Sequence, residues 1–225
     1  SCIRKKLKQN GYTNLLFVDK KKLNLLDQNK VYKYLIKSKP NLVIIAAAKV
    51  GGILANSKSK EKFLYENLQI QNNLIHGSYL AKVKNLIFLG SSCIYPKNAP
   101  QPLKEDYLLT SPLEETNEGY AIAKIAGIKL CEALINQYSF DAISIMPTNL
   151  YGPGDNYHKL NSHVMAALIR KFIIAYRKKH KSVVVWGSGK PKREFLYIDD
   201  FASASIYLAK MSKKKYHNFV PERLN

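Results

Sequence analysis

A tyrosine and a lysine four residues apart are the first side chains of this sequence that could do chemistry together. Tyr120 and Lys124 form a YxxxK pattern, and on a helix the spacing i, i+4 puts both on one face. A cation beside a phenol favours the phenolate, so Lys124 is expected to lower the pKa of Tyr120. Such a pair can exchange a proton with a carbonyl or an alcohol. The pattern alone is more typical of an exposed helix surface than of a catalytic site.

Loops on either side of this helix carry further polar and reactive side chains. Upstream, two serines and Cys93 directly follow the apolar run of residues 85–89. Downstream, a Pro-Thr-Asn triplet follows the apolar run of residues 142–146. A third loop, residues 46–52 (AAAKVGG), consists mostly of small residues, which let a flat ligand approach the backbone closely.

Short apolar runs alternate with longer helical patterns along the chain, and these elements must position the loops. The runs are continuously apolar, as is typical of strands buried on both faces of a parallel sheet. The predicted strands are residues 14–18, 42–47, 85–89, 142–146 and 183–186. The predicted helices are at about 28–38, 61–82, 119–138, 161–179 and 199–211.

The alternation of strands and helices predicts an α/β fold with a doubly wound, parallel, Rossmann-type sheet. Ligands of such sheets bind in the crevice beyond the carboxyl ends of the strands, where the loops described above begin. Residues 1–150 are expected to form this core. Residues 151–225 are expected to form part of a small C-terminal substrate-binding domain together with returning core elements.

The charge of the chain is strongly positive. Among 225 residues, 36 Lys and Arg against 16 Asp and Glu give a formal net charge of +20. Only five of the 36 are Arg, although recognition of bases and phosphates favours the planar guanidinium. The lysines are also spread along the whole chain. We therefore interpret the charge as a lysine-rich solvated surface without a nucleic-acid partner, the alternative being an anionic ligand or partner.

The cysteines and the apolar runs exclude other classes of protein. Cys2, Cys93 and Cys131 are too few and too widely separated for a disulfide framework, which indicates a reducing compartment. No cluster has the spacing of a metal site. No run of about 18 apolar residues could span a bilayer. The sequence predicts a cytoplasmic protein with no membrane partner.

Taken in order, the Ser-Ser-Cys loop, the YxxxK helix and the Pro-Thr-Asn loop resemble those of the extended short-chain dehydrogenase/reductases, a family that modifies sugar nucleotides on a Rossmann core. The resemblance runs from about residue 1 to about residue 211. The segments that carry it are residues 46–53, 89–97, 120–132, 146–153, 161–163, 184–189 and 193–195. They are similar to those of family members that convert GDP-4-keto-6-deoxy-D-mannose to GDP-L-fucose by 3,5-epimerisation and NADPH-dependent 4-keto reduction. The resemblance implies this activity, with NADP(H) as cofactor and a GDP-sugar as substrate.

The resemblance also implies roles for particular residues. Tyr120 would donate a proton to the C4 oxygen, while Lys124 lowers its pKa and holds the nicotinamide ribose. Ser91 would hydrogen-bond the same oxygen. Cys93 and His163 would remove and return protons at C3 and C5. These protons are acidic because the enolate delocalises onto the C4 oxygen, and a thiol and an imidazole both titrate near neutral pH.

Further residues match positions that bind the cofactor and the substrate in that family. The implied cofactor-binding residues are Lys20, Leu89, Gly90, Ser91, Ser92, Lys124, Pro147, Thr148, Asn149, Leu150 and His163. The implied substrate-binding residues are Lys171, Trp186 and Arg193. Lys171 stands where the family has arginine, so bidentate binding is not expected there. Lys20 favours the 2′-phosphate of NADP, whereas the neighbouring Asp19 favours the 2′-hydroxyl of NAD; we expect NADP.

The sequence departs from the family pattern at both ends. The first strand and its glycine-rich, pyrophosphate-binding loop do not precede Ser1, which is expected to begin in the helix after that loop. No motif of the family follows residue 211. The chain is therefore expected to be a fragment, the alternative being a divergent C-terminal tail.

The residues leave two other interpretations of function. One is a noncatalytic fragment or basic binding protein that retains the fold. The other is a different NAD-dependent nucleotide-sugar epimerase or dehydratase. By analogy with related dimers, the helices at 61–82 and 119–138 are expected to pair across a two-fold axis, which predicts a homodimer.

Overall fold

A computed structural model of the chain describes residues 2–159, 162–185, 187–190 and 192–211. Within them the helices are α1 (Cys2–Gln9), α2 (Gln28–Ser38), α3 (Ile53–Lys58), α4 (Lys60–Leu80), α5 (Glu118–Tyr138), α6 (Val164–Arg177) and α7 (Ile198–Lys210). The strands are β1 (Leu42–Ile45), β2 (Asn85–Leu89), β3 (Ala142–Ile145), β4 (Asn149–Tyr151) and β5 (Phe195–Tyr197). Short 3₁₀ turns occur at Ser92–Ile94 and Glu105–Tyr107.

The central feature is a parallel sheet in the order β1-β2-β3. Leu42 pairs with Asn85, and Leu86 pairs with Ala142. Helix α4 connects β1 to β2 and α5 connects β2 to β3, which makes two consecutive βαβ units. The α/β fold with a parallel sheet is confirmed. The strands predicted at 42–47, 85–89 and 142–146 are confirmed with boundaries within two residues.

Two predicted strands are wrong. Residues 14–18 form no strand, and Leu16 and Phe17 are 52% and 46% exposed. A strand exists through hydrogen bonds to a neighbour, and among the described residues β1 is hydrogen-bonded to β2 alone. Residues 183–185 also form no strand, and Val184 is 75% exposed. An apolar run predicts burial, but it does not show whether a neighbouring strand is present to form the backbone hydrogen bonds.

A second, smaller parallel sheet was missed by the sequence analysis. Strands β4 and β5 pair with Asn149 beside Phe195 and Tyr151 beside Tyr197. Each strand has three residues, which is too short to show an alternating or continuous apolar pattern. The pairing ties the loop after β3 to the segment that precedes α7.

The predicted helices are confirmed, with shifted ends. The helices predicted at 28–38, 61–82, 119–138, 161–179 and 199–211 correspond to α2, α4, α5, α6 and α7. Helix α2 begins after Asp27, whose carboxylate accepts a hydrogen bond from the backbone N–H of Lys30 at 3.1 Å. Helix α5 is capped at its C-terminal end by Ser139, which has a left-handed backbone conformation with φ of 53°.

The core lies between the sheet and helices α2, α4 and α5. Phe88 of β2 is fully buried, as are Val31 and Ile75 of the flanking helices. At Gly127 of α5, an added Cβ would lie 2.5 Å from the Phe88 ring, so only glycine allows α5 to approach the sheet this closely. The close approach sets the height of α5 above β2, and with it the position of the YxxxK residues.

No helix among the described residues is long and apolar enough to cross a membrane. Within the same residues, no group of three or more His, Cys, Asp or Glu side chains could hold a metal ion.

Candidate active site

The loops that leave β2 and β3 are joined by backbone hydrogen bonds. The N–H of Gly90 donates to the carbonyl of Ile145 at 2.8 Å, and the N–H of Ser92 donates to that of Pro147 at 3.1 Å. A Cβ on Gly90 would lie 3.3 Å from the Ile145 oxygen, which favours glycine at this position. The Ser-Ser-Cys and Pro-Thr-Asn loops therefore lie side by side at the carboxyl edge of the sheet, as predicted.

A 3₁₀ turn, Ser92–Ile94, aims the side chains that follow β2. Ser91 is extended, with φ of −165°, and caps the turn. Its Oγ accepts a hydrogen bond from the backbone N–H of Cys93 at 3.4 Å. Ser91 and Cys93 thus lie within one short turn directly after the strand.

The YxxxK residues of α5 face this turn. The Lys124 Nζ donates a 2.7 Å hydrogen bond to the carbonyl oxygen of Leu89, the last residue of β2. The same ammonium lies 4.7 Å from the centre of the Phe88 ring and 5.7 Å from that of Tyr120. Lys124 is 3% exposed. The structure therefore brings Ser91, Cys93, Tyr120 and Lys124 together.

Burial sets the protonation of the YxxxK pair. It lowers the pKa of Lys124 to about 8, against the opposing influence of the Cys93 charge. Burial also raises the pKa of Tyr120, and the Cys93 charge raises it further, while a hydrogen bond with Ser91 opposes the rise. The expected lowering of the Tyr120 pKa is wrong. Burial outweighs the cation, whose Nζ donates to Leu89. Tyr120 is a neutral phenol at pH 7.

The thiol of Cys93 is also neutral at pH 7. Burial raises its pKa, whereas the Ser91 hydrogen bond and the charge of Lys124 lower it in part. Cys131, which lies on α5, is buried and its pKa is raised to about 12 by burial. Cys131 is therefore a core residue, in agreement with the sequence analysis.

His163 belongs to a different element from the four residues that the structure brings together. It precedes α6 as its N-cap, with an extended backbone, and its side chain is exposed. Its carbonyl oxygen accepts the hydrogen bond of Ala167 at 2.9 Å. The hydrogen bonds and ring contacts described above do not include the His163 ring. The pairing of His163 with Cys93 therefore stays a prediction.

Lys20 lies in an exposed turn that Asp19 stabilises. One Asp19 carboxylate oxygen accepts the backbone N–H groups of Lys21 at 2.7 Å and Lys22 at 3.1 Å. Because this oxygen holds the turn, Asp19 has a structural role independent of any ribose. Lys20 itself is exposed in this turn.

The residues after β3 connect the two sheets. The backbone and side-chain nitrogens of Asn149 both donate to the carbonyl oxygen of Glu194, at 3.3 and 3.0 Å. Thr148 lines a cleft of about 320 Å³ together with Ser92 and Tyr95. Of the predicted cofactor-binding residues, Leu89, Gly90, Ser92 and residues 147–150 thus lie along one continuous edge.

The three predicted substrate-binding residues follow β4 in the sequence. The Lys171 Nζ donates to the carbonyl of Val184 at 3.1 Å. The exposed Arg193 donates to the carbonyl of Lys192 at 2.7 Å. Trp186 lies outside the described residues. The predicted substrate-binding set therefore stays a prediction.

The sequence analysis missed the contacts that hold the loop after β1. Asn67 of α4 hydrogen-bonds both the N–H and the carbonyl of Lys49, at 2.7 and 3.0 Å. The Lys49 ammonium pairs with Glu66 at 2.8 Å. The usable signal was a pair of buried-face amides on α4, Asn67 and Gln71, at helical spacing.

The chain is similar in sequence to GDP-L-fucose synthases from a plant and a bacterium. It is 55% identical over 208 residues to GDP-L-fucose synthase 1 of Arabidopsis thaliana, covering 92% of this chain and 64% of that protein. It is 51% identical over 212 residues to GDP-L-fucose synthase of Escherichia coli (strain K12), covering 94% and 66%. The chain thus spans just under two thirds of the length of these relatives.

The fold is also similar to solved structures of enzymes that act on GDP-sugars. A GDP-mannoheptose C4 reductase from Campylobacter jejuni with NADP bound superposes with a TM-score of 0.88 at 33% identity, covering 100% of this chain and 74% of the other. A GDP-L-fucose synthetase from Naegleria fowleri bound to NADP gives 0.81 at 31% identity, covering 92% and 68%. The sequence model of one family matches residues 1–220. On this match, the chain belongs to the NAD dependent epimerase/dehydratase family.

Proposed function

We propose that the protein converts GDP-4-keto-6-deoxy-D-mannose to GDP-L-fucose, by epimerisation at C3 and C5 and NADPH-dependent reduction at C4 in one site. One observation carries the proposal. The Lys124 Nζ to Leu89 oxygen bond of 2.7 Å holds the YxxxK helix against the loop with Ser91 and Cys93. Identities of 55% and 51% to GDP-L-fucose synthases support the same activity.

The residues at the sheet edge fit a bound NADP(H). A Cβ on Gly90 would lie 3.3 Å from the Ile145 oxygen, so glycine suits this position, and a backbone without a side chain lets a ligand approach closely. Residues 89–92 and 147–150, with Lys20, Lys124 and His163, are the proposed cofactor-binding residues. NADPH, when bound, supplies a hydride to the C4 carbon. The neighbours with NADP bound support the choice of NADP over NAD.

In the reduction step, Tyr120 gives its proton to the C4 oxygen. Because burial keeps the phenol neutral, the proton is present at pH 7. Ser91, which shares a hydrogen bond with this phenol, orients it and donates to the same oxygen. Lys124, largely charged at pH 7 with a pKa of about 8, stabilises the tyrosinate that remains.

In the epimerisation step, Cys93 and His163 exchange protons with C3 and C5. Removal of each proton gives an enolate whose charge lies on the C4 oxygen, where Ser91 and Tyr120 stabilise it. The neutral thiol of Cys93 is suited to return a proton to carbon. The exposed imidazole of His163 is the proposed partner for the opposite face of the sugar.

The GDP portion of the substrate is proposed to contact the segment beyond β4. Lys171 and Arg193 supply positive charge for the pyrophosphate, and Trp186 supplies an aromatic surface for the nucleotide. The separate sheet of β4 and β5, which begins in this part of the chain, supports this role. We place the NADP-binding core in residues 1–150 and part of the substrate-binding region in 151–225.

The proposed assembly is a cytoplasmic homodimer. Helices α4 and α5 expose Tyr65 (57%) and Ile122 (42%), side chains that a helix contact across the two-fold axis would cover. Three free cysteines fit a reducing compartment. Light scattering during size-exclusion chromatography tests the dimer, which Tyr65→Lys should dissociate. A monomeric mass for the unchanged protein at micromolar concentration would contradict it.

A GDP-sugar 4-reductase without epimerase activity is the second candidate function. The observation that favours it is the likeness to a GDP-mannoheptose C4 reductase, on which the chain superposes with a TM-score of 0.88 at 33% identity. The two functions differ in one measurement: only an epimerase incorporates solvent deuterium at C3 and C5 of the product.

A further inference from the structure

Helix α4 carries a buried amide, Asn67, that holds the loop after β1 and that has been given no role in catalysis or binding. Asn67 is 2% exposed. Its Oδ1 accepts the backbone N–H of Lys49 at 2.7 Å, and its Nδ2 donates to the carbonyl oxygen of the same residue at 3.0 Å. A second donation from Nδ2 reaches the Phe63 carbonyl at 2.7 Å. Both polar atoms of this carboxamide are therefore engaged in hydrogen bonds to the backbone.

The segment held in this way is the loop of residues 46–52, which leaves the carboxyl end of β1. Parallel strands β1 and β2 end at the same edge of the sheet, so this loop and Ser91 border one crevice. A side-chain amide that pairs with both polar groups of Lys49 replaces the strand partner that this backbone lacks. It fixes both the position and the direction of the peptide.

The Lys49 side chain is a separate contact. Its ammonium pairs with Glu66 at 2.8 Å, and both side chains are partly exposed, which makes the pair a weak contributor. The buried contact is therefore to the Lys49 backbone and would survive truncation of the side chain.

One turn further along α4, Gln71 makes a second contact of the same kind. It is 2% exposed and donates to the carbonyl oxygen of Ala123, the residue before Lys124. Asn67 and Gln71 therefore join the loop after β1 and the YxxxK helix to a single rigid helix.

We propose that Asn67 is a positioning residue of the site: its carboxamide fixes the loop of residues 46–52 in the conformation that binds the dinucleotide. The inference rests on the proposed NADP(H)-dependent function. Asn67 itself touches neither cofactor nor substrate in this account. It acts through the backbone of Lys49.

The test compares Asn67 with a matched amide on the same helix. Asn73 is 1% exposed, and its Nδ2 donates at 2.9 Å to the carbonyl of Leu25, which lies outside the loop of residues 46–52. The variants are Asn67→Ala, Asn67→Asp, Asn73→Ala and Lys49→Ala, each in the full chain. The readouts are the midpoint of thermal unfolding, hydrogen exchange of residues 48–52, and the Kd for NADPH from its fluorescence.

Asn67→Ala removes the hydrogen-bond partner of both the Lys49 N–H and the Lys49 carbonyl. We expect faster exchange at residues 48–52 and a Kd for NADPH raised about tenfold or more, the factor that ~1.4 kcal/mol represents. Asn67→Asp keeps the acceptor for the Lys49 N–H and should retain part of the protection at that amide. Asn73→Ala should lower the thermal midpoint similarly and leave the Kd within about twofold. Lys49→Ala keeps the backbone contact with Asn67 and should leave the exchange at residues 48–52 close to that of the unchanged protein.

Equal Kd values for Asn67→Ala and Asn73→Ala, or unaltered exchange at residues 48–52 in Asn67→Ala, would overturn the inference. Failure of the unchanged protein to bind NADPH would contradict the proposed function instead. The exchange measurement then decides by itself whether Asn67 holds the loop.

Discussion

The ammonium of Lys124 is bound to the carbonyl oxygen of Leu89 at 2.7 Å, across the boundary between helix α5 and the end of strand β2. Because this ammonium also faces the Phe88 and Tyr120 rings, one buried cation connects strand, helix and phenol. The contact places the YxxxK motif over the Ser91–Cys93 turn. Burial of Lys124 disfavours its charged form and lowers its pKa, so the stability of the protein should depend on pH.

The stability of the protein should depend on the charge of Lys124. Its pKa is about 8 in the folded chain and about 10.4 in an unfolded one. Between these values the unfolded state binds the proton and the folded state does not, so stability rises with pH. Relative to Lys124→Met, the unfolding free energy of the unchanged protein should increase by up to ~3 kcal/mol between pH 8 and pH 10.5.

Urea unfolding at pH 7.5 and at pH 10 measures this difference. Comparison with Lys124→Met removes the contributions of the cysteines and tyrosines that titrate in the same range. A constant difference between the two proteins across that window would show that burial does not depress the pKa of Lys124.

Removal of the Tyr120 hydroxyl should separate the two activities. Tyr120→Phe removes the proton donor for C4, so NADPH oxidation should fall by roughly 10²–10⁴-fold. Deuterium exchange at C3 and C5 of the substrate should fall much less, because Ser91 still stabilises the enolate and Cys93 and His163 are unchanged. Tyr138→Phe, a change at the exposed far end of α5, is the matched control. An equal loss of both activities in Tyr120→Phe would contradict this separation and make the Tyr120 hydroxyl as necessary for the enolate as for the reduction.

Cys93→Ser should have the opposite effect. A serine hydroxyl is a much weaker acid than a thiol, so deuterium incorporation at C3 or C5 should fall by about 10²-fold or more. His163→Gln should suppress exchange at the other carbon. Cys131→Ser makes the same chemical change in the core of α5 and should alter stability alone. Mass spectrometry of the recovered substrate measures the exchange, and unchanged exchange in Cys93→Ser would exclude the thiol.

Gly127→Ala should destabilise the fold, although alanine in an open helix stabilises it by about 1 kcal/mol relative to glycine. The new Cβ would lie 2.5 Å from the Phe88 ring and 3.0 Å from the Gln71 side chain. Overpacking of this kind costs about 1–3 kcal/mol. In a double-mutant cycle measured by urea unfolding, Phe88→Leu should reduce that cost. A stabilised Gly127→Ala protein would mean that α5 is not held against the sheet by this contact.

The sequence predicted the centre of the fold well. Strand β2 and helix α5 are continuous patterns, so their type and limits could be read directly. The spacing of Tyr120 and Lys124 placed both on one face of α5, and the family resemblance added Ser91 and Cys93 in the loop after β2. The structure brings these four side chains together, and their catalytic roles stay predictions.

Other features depend on contacts that a linear pattern does not contain. Residues 14–18 are as apolar as a buried strand, yet form none beside the described sheet. The three-residue strands β4 and β5 are strands only because they pair with each other. The pKa of Tyr120 depends on its burial, which a spacing rule ignores. Asn67 resembles any polar helix residue until the backbone of Lys49 is placed against it.

The most direct measurement is the product formed from GDP-4-keto-6-deoxy-D-mannose and NADPH in deuterated water by the protein expressed from its complete reading frame. The account predicts NADPH oxidation and a GDP-L-fucose product with deuterium at C3 and C5 and an unlabelled hydrogen at C4, as read by nuclear magnetic resonance. Reduction at C4 without deuterium at C3 and C5 would identify a simple 4-reductase. The absence of NADPH oxidation would contradict the account altogether.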